Sequence, residues 1–388
     1  MRFKHTAITL ALITTLSACG GSGSDDSSTE TPVEPTTGFS FAATEMITNL
    51  TDDVIVAGYA NLAAEGDALL LLATQALLSA SATQADLVAA QNAWKSAREP
   101  WEQGESHIFG SVDSLSIDPH LDSWPLNTTD LQTQLDNNSG FDAETIKAWN
   151  DDVQGFHTME YLLFGNGVDS NTKLIADLTT SEREYLIALA EVFRDYATLL
   201  DDAWQVNYNA ENETAIPYAD LLKSPGDATN TIYSSQLAVI EELINGMIGI
   251  VDEVGNGKIA DPFGDSISTA DTSKVESQYS WNSLTDFANN IIGVRNVYQG
   301  EFTGASDNTG LVDFVAAADA TLAARITSEI DDSILKIQAI SGSTDMPFRQ
   351  AILDEDGRVL VQSAIDALTT LQTSLESDVL PLLSDWNS

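Results

Sequence analysis

Beyond residue 39 the apolar positions of this chain recur every three or four residues, a spacing that predicts helices nearly throughout. Over 318–340 the stripe is Leu322, Ile326, Ile330, Ile334 and Ile337, and the last helix repeats it with Val361, Ile365, Leu368, Leu371, Leu375 and Val379. A third stripe, Ile146, Trp149, Val153, Phe156, Glu160 and Leu163, predicts one helix over about 142–164. Short turn-forming clusters punctuate these runs, at Asn166-Gly167, Pro225-Gly226, Gly255-Asn256-Gly257 and Ser341-Gly342-Ser343. Alternation of the strand type never runs for more than a few residues. The expected fold class is therefore all-α, built from helical bundles. A polar stretch over 207–227, containing Pro217 and Pro225, divides the chain into an N-terminal bundle at 39–215 and a C-terminal bundle at 216–388, packed side by side.

The first residues follow another pattern. Arg2 and Lys4 precede a short apolar run from Thr6 to Leu16, and Leu16-Ser17-Ala18-Cys19 reads as a lipobox. That run is shorter than the roughly 20 apolar residues of a membrane span, so 1–18 is expected to be a signal peptide. Cys19, the only cysteine, is the expected lipidation site and leaves no intramolecular disulfide to form. Gly20 after it, where an inner-membrane lipoprotein carries Asp, points to the outer membrane, facing periplasm or cell surface. Residues 19–38 are Ser, Thr, Gly, Pro and acidic, the composition of a disordered tether. Charge sharpens the choice of partners: 59 Asp and Glu against 16 Lys and Arg give −43. Nucleic acid and anionic membrane surfaces are thereby poor partners, and the membrane is met through the lipid anchor alone. Attraction of cations and a solvated surface suited to salty water both fit the excess.

The stripe over 142–164 carries an anomaly. Glu160 falls on the face that periodicity assigns to the core, one turn after His157, in a chain with 4 histidines. Side chains at i and i+3 of a helix lie about 5–6 Å apart at Cβ. A buried carboxylate must be neutralised, hydrogen-bonded or metal-bound, so the pair is either a packing hydrogen bond or part of a metal site. Upstream, Trp94, Arg98, Glu102, Glu105 and Phe109 recur at helical spacing, with Pro100 kinking that helix or opening a new one. Arg98 is placed to pair with Glu160 or to hold an acidic ligand, and Glu102 or Glu105 to complete a metal site. Residues 118–125, with Asp118, His120, Asp122 and Trp124, are expected as a loop rimming the same pocket. In 276–300 an apolar stripe (Leu284, Phe287, Ile291, Val294, Tyr298) runs beside a polar one through Asp286, Asn290 and Asn296. Asparagine disfavours helix interiors, so this row should face the other bundle, a ligand or solvent.

Together these segments resemble the imelysin family of exported bacterial proteins, over essentially the whole mature chain. The resemblance rests on G-x-H-x-x-E at Gly155 to Glu160, Trp-x3-Arg-x2-Trp-Glu-x2-Glu from Trp94 to Glu105, and Glu276-Ser277-Gln278-Tyr279-Ser280-Trp281-Asn282 leading into Asp286-Phe287-x2-Asn290. Gly257-Lys258 through Asp261-Pro262-Phe263-Gly264 adds to it. It implies a bilobed fold of two helical bundles with the motif near their interface. It also implies His157, Glu160 and Glu105 as metal ligands, with Trp94, Arg98, Glu102, Ser280, Asp286 and Asn290 as ligand-binding neighbours. Three functions follow as expectations. The first is binding of iron, another transition metal such as zinc, or an iron chelate, for an outer-membrane uptake partner; one imidazole with several carboxylates suits such ions. The second is a zinc metallopeptidase using His157, Glu160 and Glu105. Zincins use H-E-x-x-H, and here Thr158 stands where that motif has its glutamate, so His107 or His120 would have to be borrowed. The third is a non-catalytic polymer- or protein-binding lipoprotein with Trp94, Trp101, Trp124 and Trp281 as stacking surfaces.

Overall fold

In the computed structural model, residues 38–67, 72–209, 212, 214–302 and 309–387 are described. The signal peptide, Cys19 and the tether, apart from Gly38, lie outside the described residues. Helices account for the architecture: α1 (Ala43–Asn49), α2 (Ala57–Ala64), α3 (Gln84–Gly104), α4 (Ile117–Asp122), α5 (Gly155–Phe164), α6 (Thr180–Gln205), α7 (Gln236–Asp252), α8 (Ser283–Gln299), α9 (Ala320–Ala339) and α10 (Glu355–Ser374) are those that position the site. Among the described residues there is no β-strand, only an isolated bridge between Phe39 and Trp386. No described helix is long and apolar enough to cross a membrane.

Local chemistry sets the ends of the long helices. Asp86 accepts the Thr83 N–H at 2.7 Å to start α3, and Thr179 with Glu182 forms a reciprocal box at the start of α6. Such caps stabilise a helix by about 1 kcal/mol each. Pro100 lies inside α3, which runs on through it to Gly104. The stripes over 318–340 and in the last helix are buried as the periodicity requires, with Ile365 alone among them half-buried.

Two expectations change. The helix expected over 142–164 is three pieces: Ala143–Lys147, a 3-10 turn at Asp151–Val153, and α5. Asn150 and Gln154 are extended, and Gly155 has φ +68. A Cβ on Gly155 would lie 2.3 Å from the Leu121 carbonyl oxygen, so a contact from α4 breaks the helix. The burial stripe survives because all three pieces lie on one core. The loop expected over 118–125 begins instead as α4, which carries Asp118 through Asp122.

Around α3 and α5 pack α2, α4 and α6; α7 and α9 pack on α8, and α10 packs on α7 and α9. The two groups meet where α3 crosses α8 and where Glu105–His107 runs against α7. Glycines permit the approach: a Cβ on Gly293 would sit 2.2 Å from the Gln103 carbonyl oxygen, and one on Gly246 2.4 Å from that of Ser106. From Gly38 onward the described residues belong to one compact unit. Its ends are tied together by the Asn387 N–H donated to Phe39 O at 2.9 Å and the Trp386 indole donated to Phe41 O at 3.1 Å. Gly293→Ala should push α3 and α8 apart and lower stability by about 1–3 kcal/mol in urea unfolding. An alanine variant as stable as the parent would show that the crossing relaxes freely.

A candidate metal centre in a buried charge cluster

The crossing of α3 and α8 gathers charges from seven segments. From α3 come Arg98 and, one turn on, Glu102; the following turn adds Glu105. Asp122 ends α4, His157 and Glu160 lie in the first turns of α5, and Lys258 lies in the π-helical continuation of α7, Glu253–Ala260. Glu276 and Ser280 precede α8, which supplies Asp286 and Asn290. All of these side chains are buried. The turn from Ser277 to Trp281 is unusual: both of those residues have positive φ, at 50 and 63. It is held by Asn171 and Trp281, whose side chains donate to Ser280 O and Gly167 O, each at 2.8 Å.

Arg98 is the hub. Its guanidinium meets Glu102 and Asp122 in very short contacts, Glu276 at 2.8 Å and Asp286 at 3.4 Å, and lies 4.9 Å from the Phe156 ring centre. Lys258 faces Glu105 at 2.8 Å, Glu276 at 3.4 Å and Glu102 at 3.7 Å. Asn290 donates to Glu102 Oε2 at 2.6 Å and to Glu105 Oε2. Asn282 donates to Asp286 Oδ1 at 2.6 Å.

His157 has two different faces. Its Nδ1 lies 3.1 Å from Glu160 Oε2. The other Glu160 oxygen accepts the Ser280 N–H and hydroxyl, each at 2.7 Å. Its Nε2 points the opposite way, 3.2 Å from Asp122 Oδ1 and 3.8 Å from Glu276 Oε1, without a well-aligned hydrogen bond. One donor atom each from Asp122, His157 and Glu276 lie within 4.8 Å of one another. Trp101 donates its indole N–H to Asp122 Oδ2 at 2.7 Å, and the Trp124 ring sits 4.7 Å from that of His157. A cleft of about 570 Å³ lined by Lys95, Trp281 and Leu284 reaches Ser280 from outside.

Carboxylates outnumber cations here two to one, counting Glu102, Glu105, Asp122, Glu160, Glu276 and Asp286 against Arg98, Lys258 and a protonated His157. Burial pushes Glu105 up despite Lys258, and pushes Asp286 up to about 7 despite Arg98. Burial also opposes the ionised forms of Asp122, Arg98 and Lys258, but their partners win. Asp122 is held well below the usual carboxylate range by Arg98 and His157, and both cations are held firmly charged by their carboxylates. Burial opposes the charged form of His157, but the Asp122 and Glu160 carboxylates against its two nitrogens raise it to about 9.

The structure brings His157, Glu160, Arg98, Glu102, Glu105, Ser280, Asp286 and Asn290 into this one cluster. Their places differ from the expected ligand set, since Glu160 is taken by Nδ1 and Ser280, and Glu105 by Lys258 and Asn290. Trp94 stands apart: it is fully buried in the core and its indole donates to Phe156 O at 3.0 Å. His107 and His120 do not join the group. Burial lowers His107 to about 4, and its Nδ1 lies 3.0 Å from the Tyr59 hydroxyl. His120 faces Asp151 at 2.7 Å and stacks on Tyr196. Asp122 was expected only at the rim of the pocket, and Glu276 and Lys258 were absent from the expected site, although both fall in segments that stood out in the sequence.

Fold and cluster define an all-helical protein with a carboxylate-rich buried centre around H-x-x-E. The chain belongs to the imelysin family, whose model (peptidase M75, imelysin) matches residues 55–375. It is 30% identical over 343 residues to iron-regulated protein A of Synechococcus elongatus, covering 87% of each chain. The crystal structure of a protein described as an iron-regulated protein A precursor, from Parabacteroides distasonis, is similar at TM-score 0.74 and 27% identity, over 88% of this chain and 94% of that one. An imelysin-like protein from Psychrobacter arcticum shares the fold, with TM-score 0.68 and 16% identity over 89% and 98% of the two chains.

The His157 shift has a pH signature. A histidine whose folded value is raised from 6.5 to about 9 adds stability that is complete below 6.5 and lost as pH rises through 9. Metal-free protein should lose up to about 3 kcal/mol across that window, measured by urea unfolding at fixed pH. The step should vanish in His157→Gln. An equal step in that variant would place its origin elsewhere.

Proposed function

We propose that this chain is an exported lipoprotein that takes up a transition metal ion, iron foremost, at Asp122, His157 and Glu276, for metal acquisition at the outer membrane. The observation that carries the reading is the buried His157 Nε2, which faces two carboxylates without an aligned hydrogen bond in a cluster short of positive charge. The donor set fits the ion: one imidazole and two carboxylates suit iron, manganese or zinc. Glu160, fixed by Ser280, orients the ring from behind, the usual arrangement of a metal-bound histidine. The cluster's burial favours a bare ion over a bulky chelate. The names of the two iron-regulated relatives lean toward iron.

The runner-up, a zinc peptidase, has no second histidine at hand, since His107 and His120 are engaged elsewhere. A polymer-stacking role is disfavoured because Trp94 and Trp101 are buried and hydrogen-bonded.

Metal content and titration of the purified protein test the site. The parent should hold one equivalent of iron, manganese or zinc. His157→Ala and Asp122→Asn should weaken it at least 100-fold with the helical circular dichroism unchanged. Glu160→Gln should cost about 10–100-fold, the range for an orienting partner. Loss on Glu160→Gln as complete as on His157→Ala would make Glu160 a ligand instead, and full binding by His157→Ala would refute the site. Cys19→Ala should release the protein from the membrane fraction on cell fractionation, because lipid supplies the attachment. Retention would point to another anchor.

A further inference from the structure

Lys258 is the charge that the metal reading leaves without a task. Its ammonium is buried among Glu105, Glu102 and Glu276. The Asn290 amide closes the same group: its Nδ2 bonds Glu102 and Glu105, and its fully buried Oδ1 has no hydrogen-bond partner. Three carboxylates and an amide oxygen are the ligands a hard divalent cation takes. Glu276 belongs to both halves of the cluster. It lies 3.8 Å from His157 Nε2 on one side and 3.4 Å from Lys258 on the other. Carboxylates shared in this way are how helical proteins build two-metal sites. Lys258 comes from a π segment, whose widened turn is a frequent mark of functional positions.

We propose that Lys258 is a tethered cation filling the second half of a two-cation carboxylate cage, so that the protein holds a single metal ion. The inference rests on the metal site proposed above. A buried carboxylate group without a cation is costly, and a second ion would supply the missing charge only when ions are abundant. An ammonium on the chain supplies it at all times. It holds Glu102, Glu105 and Glu276 in place around one ammonium before any metal arrives, and it bars a second ion. Arg98 cannot play this part, because its planar fork is committed to carboxylates on four segments.

The test counts ions by equilibrium titration with Zn²⁺ and, separately, Mn²⁺ on the whole purified protein. Wild type should bind one ion and Lys258→Met two, with the double variant Lys258→Met/Glu105→Gln returning to one. Lys258→Met should melt lower than wild type without metal and recover with either ion. A variant that folds only when an ion is added supports the proposal equally. One that stays unfolded with both ions overturns it, because the ion should supply the charge that lysine supplied. One ion on wild type and still one on a folded Lys258→Met also overturns it, as does wild type binding two. Absence of any ion on either protein would instead sink the metal reading beneath it.

Discussion

The guanidinium of Arg98 is the constraint on which the rest of this structure depends. It is fully buried and pairs with Glu102 on its own helix, Asp122 on α4, Glu276 before α8 and Asp286 within it. Taking such a charge from water costs several kcal/mol, recovered only while all four carboxylates stay in place. Removing one partner of a buried pair typically costs about 3–5 kcal/mol, so the positions of α3, α4 and α8 are linked through one side chain. An apolar core could bind these helices as tightly. It would not fix which carboxylate oxygen faces His157.

That link explains the glycines and asparagines at the crossing. Gly293 lets α8 approach the Gln103 carbonyl, and the approach brings Asn289, Asn290 and Asn296 within reach of α3. Helix interiors disfavour asparagine, yet here each of these side-chain amides meets a polar group of α3 or of the turn after it. Gln103 donates its side-chain N–H to Asn289 Oδ1 at 3.0 Å and lies 3.0 Å from the Asn296 amide, while Asn290 donates to Glu102 and Glu105.

How much of this was legible follows from where each cause lies. Helical stripes such as Leu322 to Ile337 could be read because burial of one face leaves a mark every turn. The break at Asn150 to Gly155 could not, since it is set by the Leu121 carbonyl, about thirty residues away in sequence and in contact only after folding. In the site, His157 and Glu160 stood out as a pair one turn apart, and Arg98, Glu102 and Glu105 as charges among aromatic residues. Their grouping with Ser280, Asp286 and Asn290 came through resemblance to a family. Asp122 looked like a loop residue because α4 is only 6 residues long and contains a proline. Glu276 and Lys258 lay in plain view within quoted segments. Sequence carries no sign of which face of an imidazole meets which acid.

The division of His157 between Glu160 and the Asp122–Glu276 side also says what binding an ion would do. Asp122 and His157 belong to the α3 group, and Glu276 leads into the α8 group. An ion held by all three would therefore bridge the two groups at the place where Arg98 and Lys258 already hold them together. By mass action, an ion at a hundred times its dissociation constant adds about 2.7 kcal/mol to folding, on top of a cage whose shape the two tethered cations maintain without it. Arg98 and Lys258 thus organise the cluster by themselves. On the proposed reading, the affinity for an ion would reflect the charge that Arg98 and Lys258 leave uncovered among six buried carboxylates.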